Sequence, residues 1–340
     1  MNGTKERGAG ETTMIHRNNF RAVALACGLA LGLGTAAKAD EPVRVALGDV
    51  VSVETLPFVI ALERAKDRGV DYELTSFAKE ELALQAIISG QADIGVGTPY
   101  SIIQKSKVPL RNIFQMSRLV FFPVVTNKYQ GWKDLDGRPF TFHARGTGTE
   151  AIGNIIAARE GIEFGERSYV PGSENRIIAM MNGQIDATIV DLANKNKLME
   201  MAGDKFHVLP GVDEPASDEL VFASEKFIAE NSEKVQVIVE ELLRLWQEMA
   251  ADPTVIEKER AARNLLADQP KEILDEVTPF ITEATKEGVY APGGGDEKTA
   301  EADFQFYTQA GQLEGDPASL KAEDFWDLGP LEAARKAVGG

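Results

Sequence analysis

Residues 143–151, HARGTGTEA, place a histidine, an arginine, two glycines and two threonines within nine positions. The stretch follows a strand-like run and opens a helical one. The unbonded N–H groups of a helix's first turn, and the positive end of its dipole, would then face whatever lies beyond the strand. Gly146 and Gly148 allow close backbone approach, Thr147 and Thr149 add hydroxyl donors, and Arg145 adds a charge. Together these make an anion site. Two other readings of the same residues stay open. One is a tight threonine-capped turn that binds nothing. The other is the G-x-G-x-x-A form of a dinucleotide fingerprint, with Glu166 twenty residues beyond Gly146.

The elements around this stretch occur twice. SGQADIG (89–95) and NGQIDAT (182–188) repeat Gly-Gln-x-Asp 93 residues apart, too long a period for a solenoid. Ahead of the first copy, VRVALGD (43–49) reads as a strand, TLPFVIALERAKDRG (55–69) as a helix, DYELTSF (71–77) as a strand and KEELALQAIISG (79–90) as a helix. IGVGTP (94–99) closes that unit as a strand. The second unit runs PFTFH (139–143), TEAIGNIIAAREG (149–161), RSYV (167–170), SENRIIAMMNG (173–183) and ATIVD (187–191) in the same order. Each is β-α-β-α-β. Gly90 and Gly183 fall where a helix must stop in a left-handed conformation, which glycine adopts without steric cost. The aspartate after each can bond backbone N–H groups of the turn that follows. The tetrapeptide is therefore a structural joint.

In open α/β sheets, ligands bind beyond the carboxyl ends of the strands. That geometry nominates Asp49 to Glu54, then Phe77 and Lys79, then Thr98, Tyr100 and Ser101 in the first unit. In the second it nominates His143 and Arg145, then Gly172 and Ser173, then Asp191 and Asn194. SRLVFFPVVTN (117–127) and DELVFAS (218–224) read as an outgoing and a returning crossing between two lobes, with Phe121 and Phe122 in the outgoing one. The remainder is helical. Asn231-Ser232 can cap a helix whose Val235, Ile238, Val239, Leu242, Leu245, Trp246 and Met249 form one stripe, and GGGD at 293–296 reads as a flexible break.

At 340 residues and 44% hydrophobic, the chain can bury two domain cores. Residues 1–39 read as a signal peptide, in which basic residues precede the apolar run 22–37 and Ala37-Lys38-Ala39 supplies a small-x-small cleavage pattern. An uncut amphipathic anchor, or a lipoprotein acylated at Cys27, are the rival readings. Cleavage would remove five basic and two acidic residues, taking the formal charge from −17 to −20, and would remove Cys27, the single cysteine. Without basic patches a nucleic-acid partner is not expected, and the acidity itself serves solubility. N-terminal sequencing of exported protein should begin at Asp40; a start retaining residues 22–37 would reject the reading.

Four stretches carry a family resemblance: ISGQADIGVGTP (88–99), WKDLDGRPFTFHARGTGTEAI (132–152), MMNGQIDATIVD (180–191) and AEDFWDLGPLEAARKA (322–337). With the paired lobes and the leader, they resemble the type II periplasmic solute-binding proteins of ABC transporters, within the nitrate, sulfonate, taurine and thiamine-pyrimidine-precursor group. The resemblance covers nearly all of 41–340. It implies an α/β fold of two Rossmann-like lobes joined by two crossing strands, with a helical C-terminal tail packed on the first lobe. Lobe 1 would comprise 40–122 and 221–340, and lobe 2 would comprise 123–220. It implies a periplasmic monomer that captures a small organic anion or zwitterion between the lobes and passes it to a membrane permease, without cofactor, metal or catalysis. The expected ligand-binding set is Glu54, Phe77, Lys79, Thr98, Tyr100, Phe121, His143, Arg145, Thr147, Thr149, Ser173 and Asp191. Arg145, Lys79 and the Gly-Thr loop suit an anionic group, the aromatic residues a flat body, and Glu54, Glu80 and Asp191 an amino group. An enzyme of the pyrimidine-precursor synthase type, which carries a cysteine-rich motif, is the alternative from another class. A receptor for a TRAP-type transporter or a sensor kinase is the alternative within the binding class.

Overall fold

The computed structural model describes residues 41–77, 79–145, 148–212 and 216–339. The segment expected to be a signal peptide, with Gly146 and Thr147 of the glycine-threonine loop, lies outside them. In chain order the strands are β1 (Val43–Leu47), β2 (Tyr72–Ser76), β3 (Ile94–Gly97), β4 (Leu110–Gln115), β5 (Phe122–Thr126), β6 (Phe140–Phe142), β7 (Arg167–Tyr169), β8 (Ala187–Val190), β9 (Phe206–Val208) and β10 (Leu220–Ser224). The helices are α1 (Leu56–Asp67), α2 (Glu80–Ile88), α3 (Tyr100–Ser106), α4 (Gly148–Glu160), α5 (Ser173–Met181), α6 (Leu192–Ala202), α7 (Glu225–Glu230) and α8 (Ser232–Ala251). They continue with α9 (Thr254–Ala262), α10 (Lys271–Asp275), α11 (Val277–Lys286), α12 (Glu297–Gln309) and α13 (Gly329–Val338).

The strands build two five-stranded sheets, ordered β2-β1-β3-β10-β4 and β7-β6-β8-β5-β9. In the first, β1 runs parallel to β2 and β3, and β10 runs antiparallel to β3 and β4. In the second, β6 runs parallel to β7 and β8, and β5 runs antiparallel to β8 and β9. Each sheet thus takes its antiparallel strand from one of the two crossings. The repeat also extends further than β-α-β-α-β, through α3 and β4 in the first copy and α6 and β9 in the second.

The outgoing crossing is not one long strand. Ser117 to Phe121 form an irregular connection, and the strand starts only at Phe122. That connection pairs with the returning one: Arg118 and Ser217 make an antiparallel bridge, the Leu119 N–H donates to the Ala216 carbonyl at 2.7 Å, and the Asp218 N–H to the Ser117 carbonyl at 2.9 Å. Two adjacent extended segments therefore carry the chain between the sheets.

The repeated tetrapeptide acts as a joint, though not through its own turn. Gly90 and Gly183 have φ of 72° and 68°. Asp93 then accepts the Arg44 N–H at 2.9 Å and the Arg44 guanidinium at 2.5 Å, pinning β1 beside β3. Asp186 pairs its carboxylate with Lys128 and accepts the Thr126 N–H on its carbonyl at 2.9 Å, fastening β5 beside β8.

Helix α8 buries all seven apolar residues of its stripe. The Asn231 amide, however, donates back to the Phe227 carbonyl at 3.3 Å rather than capping α8. Both α1 and α13 pack on α8, and α13 also touches β4, placing the tail on the first sheet. Helix α12 reaches further and touches α4 behind the second sheet. The glycine run at 293–296 is locked rather than flexible. The Gly294 carbonyl accepts the Gln115 N–H at 2.7 Å, Gly294 has φ of 68°, and an added Cβ would overlap the Phe114 ring. Gly294→Ala is expected to cost about 1–3 kcal/mol through combined backbone strain and overpacking. Urea unfolding checks this, and an unchanged midpoint would show that the ring yields freely. Among the described residues no helix is long and apolar enough to cross a membrane.

Candidate functional site

The parallel strands of the first sheet end at Leu47, Ser76 and Gly97, and the antiparallel β10 begins at that same edge because Leu220 pairs with Gly97. Asp49 follows β1, Thr98 follows β3, and Asp218 and Glu219 precede β10. The Glu80 side chain, from the start of α2, accepts both the Thr98 N–H and its hydroxyl, the latter at 2.6 Å. Gly97 makes room for it, since an added Cβ there would overlap the Glu80 side chain. Thr98 is thus engaged with Glu80.

Glu54 lies in the turn before α1, where its carbonyl accepts the Tyr290 hydroxyl at 2.8 Å. Its side chain is exposed to solvent, with other acids nearby. Desolvation first, then the charges of Asp218, Asp191 and Asp49, push it up to about 7. Desolvation, then Glu80, Asp49 and Asp191, push Asp218 up to about 7 as well. Desolvation, with Asp218, Glu54, Asp49 and Glu80, drives Glu219 well above the carboxylate range. Asp191 follows β8 of the second sheet and caps α6 by accepting the Asn194 N–H at 2.8 Å. Its charge reaches Glu54 and Asp218 of the first sheet, so acids from both sheets face one region. A positively charged group placed among carboxylates that raise one another in this way would relieve all of them.

The facing edge of the second sheet is built differently. His143 follows β6 and is partly buried, and burial, then the Arg176 charge, lower its pKa. Ser173 opens α5, and its hydroxyl accepts from Arg176 at 2.8 Å. Thr149 is buried and accepts the His143 N–H at 2.9 Å, so its hydroxyl closes the turn. Arg145 is exposed, with its guanidinium 5.2 Å from the Tyr169 ring centre. Phe121 and Phe122 line a cavity of about 380 Å³ with Leu119, Leu209 and Val212, and the Lys195 ammonium stands 4.5 Å over the Phe122 ring.

Other expected residues stand apart from this arrangement. Tyr100 is fully buried: its hydroxyl donates to Asp303 and accepts from Trp326 Nε1 at 2.9 Å, and its ring packs 4.9 Å from Tyr307. It belongs to the core beneath the site. Lys79 is exposed at the N-cap of α2, and Phe77 is half-buried against the second core cluster. Sequence reasoning missed Asp218, Glu219 and Arg176. The signal for the two acids was present: a returning antiparallel strand brings its first residues, not its last, to the edge where its neighbours end.

Two sheets with helices, exchanging one antiparallel strand each through paired crossings, define the periplasmic binding protein fold. Three solved structures show it alongside this chain. A protein from Bordetella bronchiseptica RB50 is 20% identical with a TM-score of 0.64, covering 88% of this chain and 98% of its own. A putative sulfonate ABC transporter periplasmic sulfonate-binding protein from Methylobacillus flagellatus is 16% identical, with a TM-score of 0.67 and coverage of 88% and 95%. The periplasmic aliphatic sulphonate binding protein of Escherichia coli is 15% identical, with a TM-score of 0.64 and coverage of 85% and 93%. No curated protein sequence gives a significant match. The NMT1/THI5-like family model matches residues 54–256, and the chain belongs to that family.

Proposed function

We propose that this chain is a periplasmic solute-binding protein that captures a small zwitterionic solute between its lobes and presents it to the permease of an ABC transporter. The lobes are residues 40–122 with 221–340, and residues 123–220. The leader exports the chain, which works as a monomer and without catalysis. The observation that carries the reading is the convergence of Glu54, Asp218 and Glu219 with Asp191 from the other sheet, where Glu54 and Asp218 are pushed up to about 7. A protonated amine or amidinium on the solute fits there. Of the anion and the zwitterion that the sequence leaves open, these acids favour the zwitterion, because a purely anionic solute would meet like charge. Its anionic or acceptor end would lie toward His143, Arg145 and the start of α5, with Phe121 against its body. Sulfonate binding by the structural relatives is compatible with an acidic end group there.

Native mass spectrometry of the protein as purified tests this. The expected result is a retained small molecule that carries a basic nitrogen and leaves the protein chemically unchanged. A protein that retains only simple inorganic anions, or that converts its bound molecule, would overturn the proposal.

A further inference from the structure

His143 follows β6 at the edge of the second sheet, and its ring is held from behind by two groups that can only donate. The Gly172 N–H points at Nδ1 at 3.1 Å, and Arg176 Nη1 stands 3.4 Å from the same nitrogen. Neither an amide N–H nor a guanidinium accepts a hydrogen bond, so Nδ1 has to be the acceptor and the neutral ring carries its proton on Nε2. Nε2 itself has no partner among the described residues.

Arg176 is fixed in place. It is 1% exposed, and it donates through Nε and Nη2 to the Ile189 carbonyl at 3.2 and 2.9 Å, through Nη1 to the Val170 carbonyl at 3.0 Å, and through Nη2 to Ser173 Oγ at 2.8 Å. Strand ends and a helix start therefore hold the guanidinium, and among the described residues no carboxylate lies within ion-pair distance of it. A buried cation beside an imidazole opposes a second positive charge on that ring. Burial of the ring acts in the same sense and is the larger cause, while Glu174 on the same turn of α5 acts against both. Asp191 faces Arg176 from the start of α6, and Arg145 follows His143 in its own loop.

We infer that Arg176 is a positioning residue which, with the Gly172 N–H, holds His143 as a neutral imidazole presenting Nε2–H to the cleft. The second sheet then offers the solute an uncharged donor, suited to a carbonyl, a ring nitrogen or a carboxylate oxygen, opposite the acids of the first sheet. What that donor meets rests on the proposed function; the tautomer does not.

Long-range proton–nitrogen NMR on the full chain, labelled at its histidines His16, His143 and His207 and assigned with H143Q and H207Q, reads the ring directly. The expected result is an unprotonated Nδ1 and a protonated Nε2 on His143, with a protonation midpoint below that of free histidine. Arg176→Met should move the midpoint upward and mix the tautomers, and Arg176→Lys, which keeps the cation, should hold the midpoint low. An Nδ1–H tautomer, or a midpoint at or above that of free histidine in the natural chain, overturns the inference, and this measurement decides even where a variant fails to fold. A protein that retains no solute yet shows the Nε2–H ring loses the proposed function and keeps this inference. One that retains solute with an Nδ1–H ring does the reverse.

Discussion

Asp218→Asn is expected to unfold at a higher temperature than the natural chain at pH 8 and at the same temperature near pH 3. The natural carboxyl titrates at about 7 in the folded protein, against 3.8 in the unfolded chain, because burial and the charges of Glu80, Asp49 and Asp191 disfavour its ionised form. A folded-state value above the unfolded one means that stability is complete below pH 4, falls as the pH rises, and reaches its floor above pH 7. Asparagine does not titrate, so that decline should shrink. Discounted for the residual solvent contact of Asp218, the gain at pH 8 is roughly 2–3 kcal/mol. The same change should weaken capture of a cationic group by about 10- to 100-fold, the worth of one charge-assisted hydrogen bond. Thermal unfolding across pH, with calorimetric binding, checks both halves. A variant that is less stable at pH 8, or that binds as before, would show that Asp218 serves the fold rather than the cleft.

The opposite outcome is expected at Asp303. This residue is fully buried on α12 and accepts the Ser217 N–H at 2.6 Å, the Ser217 hydroxyl at 2.8 Å and the Tyr100 hydroxyl. Gln115 Nε2 also donates to Ser217 Oγ at 2.8 Å, and the Tyr307 hydroxyl donates to the Ser217 carbonyl at 2.6 Å. Ser217 bridges to Arg118, so this network fastens the paired crossings to α12 one residue from the Asp218 carboxyl. Asp303→Ala would leave three donors buried without an acceptor and should destabilise the protein by about 3–5 kcal/mol. Denaturant unfolding at pH 8 measures it. A loss under about 1 kcal/mol would mean that water enters and replaces the carboxylate.

The repeated units were legible because their helices and strands carry strong periodic patterns bounded by glycine stops, as α8 does with its seven-residue stripe. Elements with little apolar surface to declare them were not. Helix α6 buries only Leu192, Leu198 and Ala202, β9 is three residues long, and α3 buries Tyr100 and Ile103 alone. Tyr100 follows a strand end, as a ligand contact would, but α3 begins at that residue and turns the ring into an aromatic core. GGGD looked flexible from composition, whereas three-dimensional neighbours occupy the space a side chain would need. The acidic composition gave a net charge and no location. Only the antiparallel return of β10 brings Asp218 and Glu219 beside Glu54, and Arg176 became visible only once α5 had buried it behind His143.

The proposed capture requires the two lobes to close around solute, because acids on one sheet and donors on the other meet a single molecule only if the lobes come together. The paired crossings near Arg118 and Ser217 and the contact of α12 with α4 join the two sheets, and a solute that touches both proposed lobes would favour a closed form by its differential affinity. Small-angle X-ray scattering, on protein stripped of its solute and then saturated with the molecule identified by native mass spectrometry, tests this most directly. The expected result is a smaller radius of gyration in the saturated protein. An unchanged radius with a solute shown by calorimetry to bind tightly would contradict it.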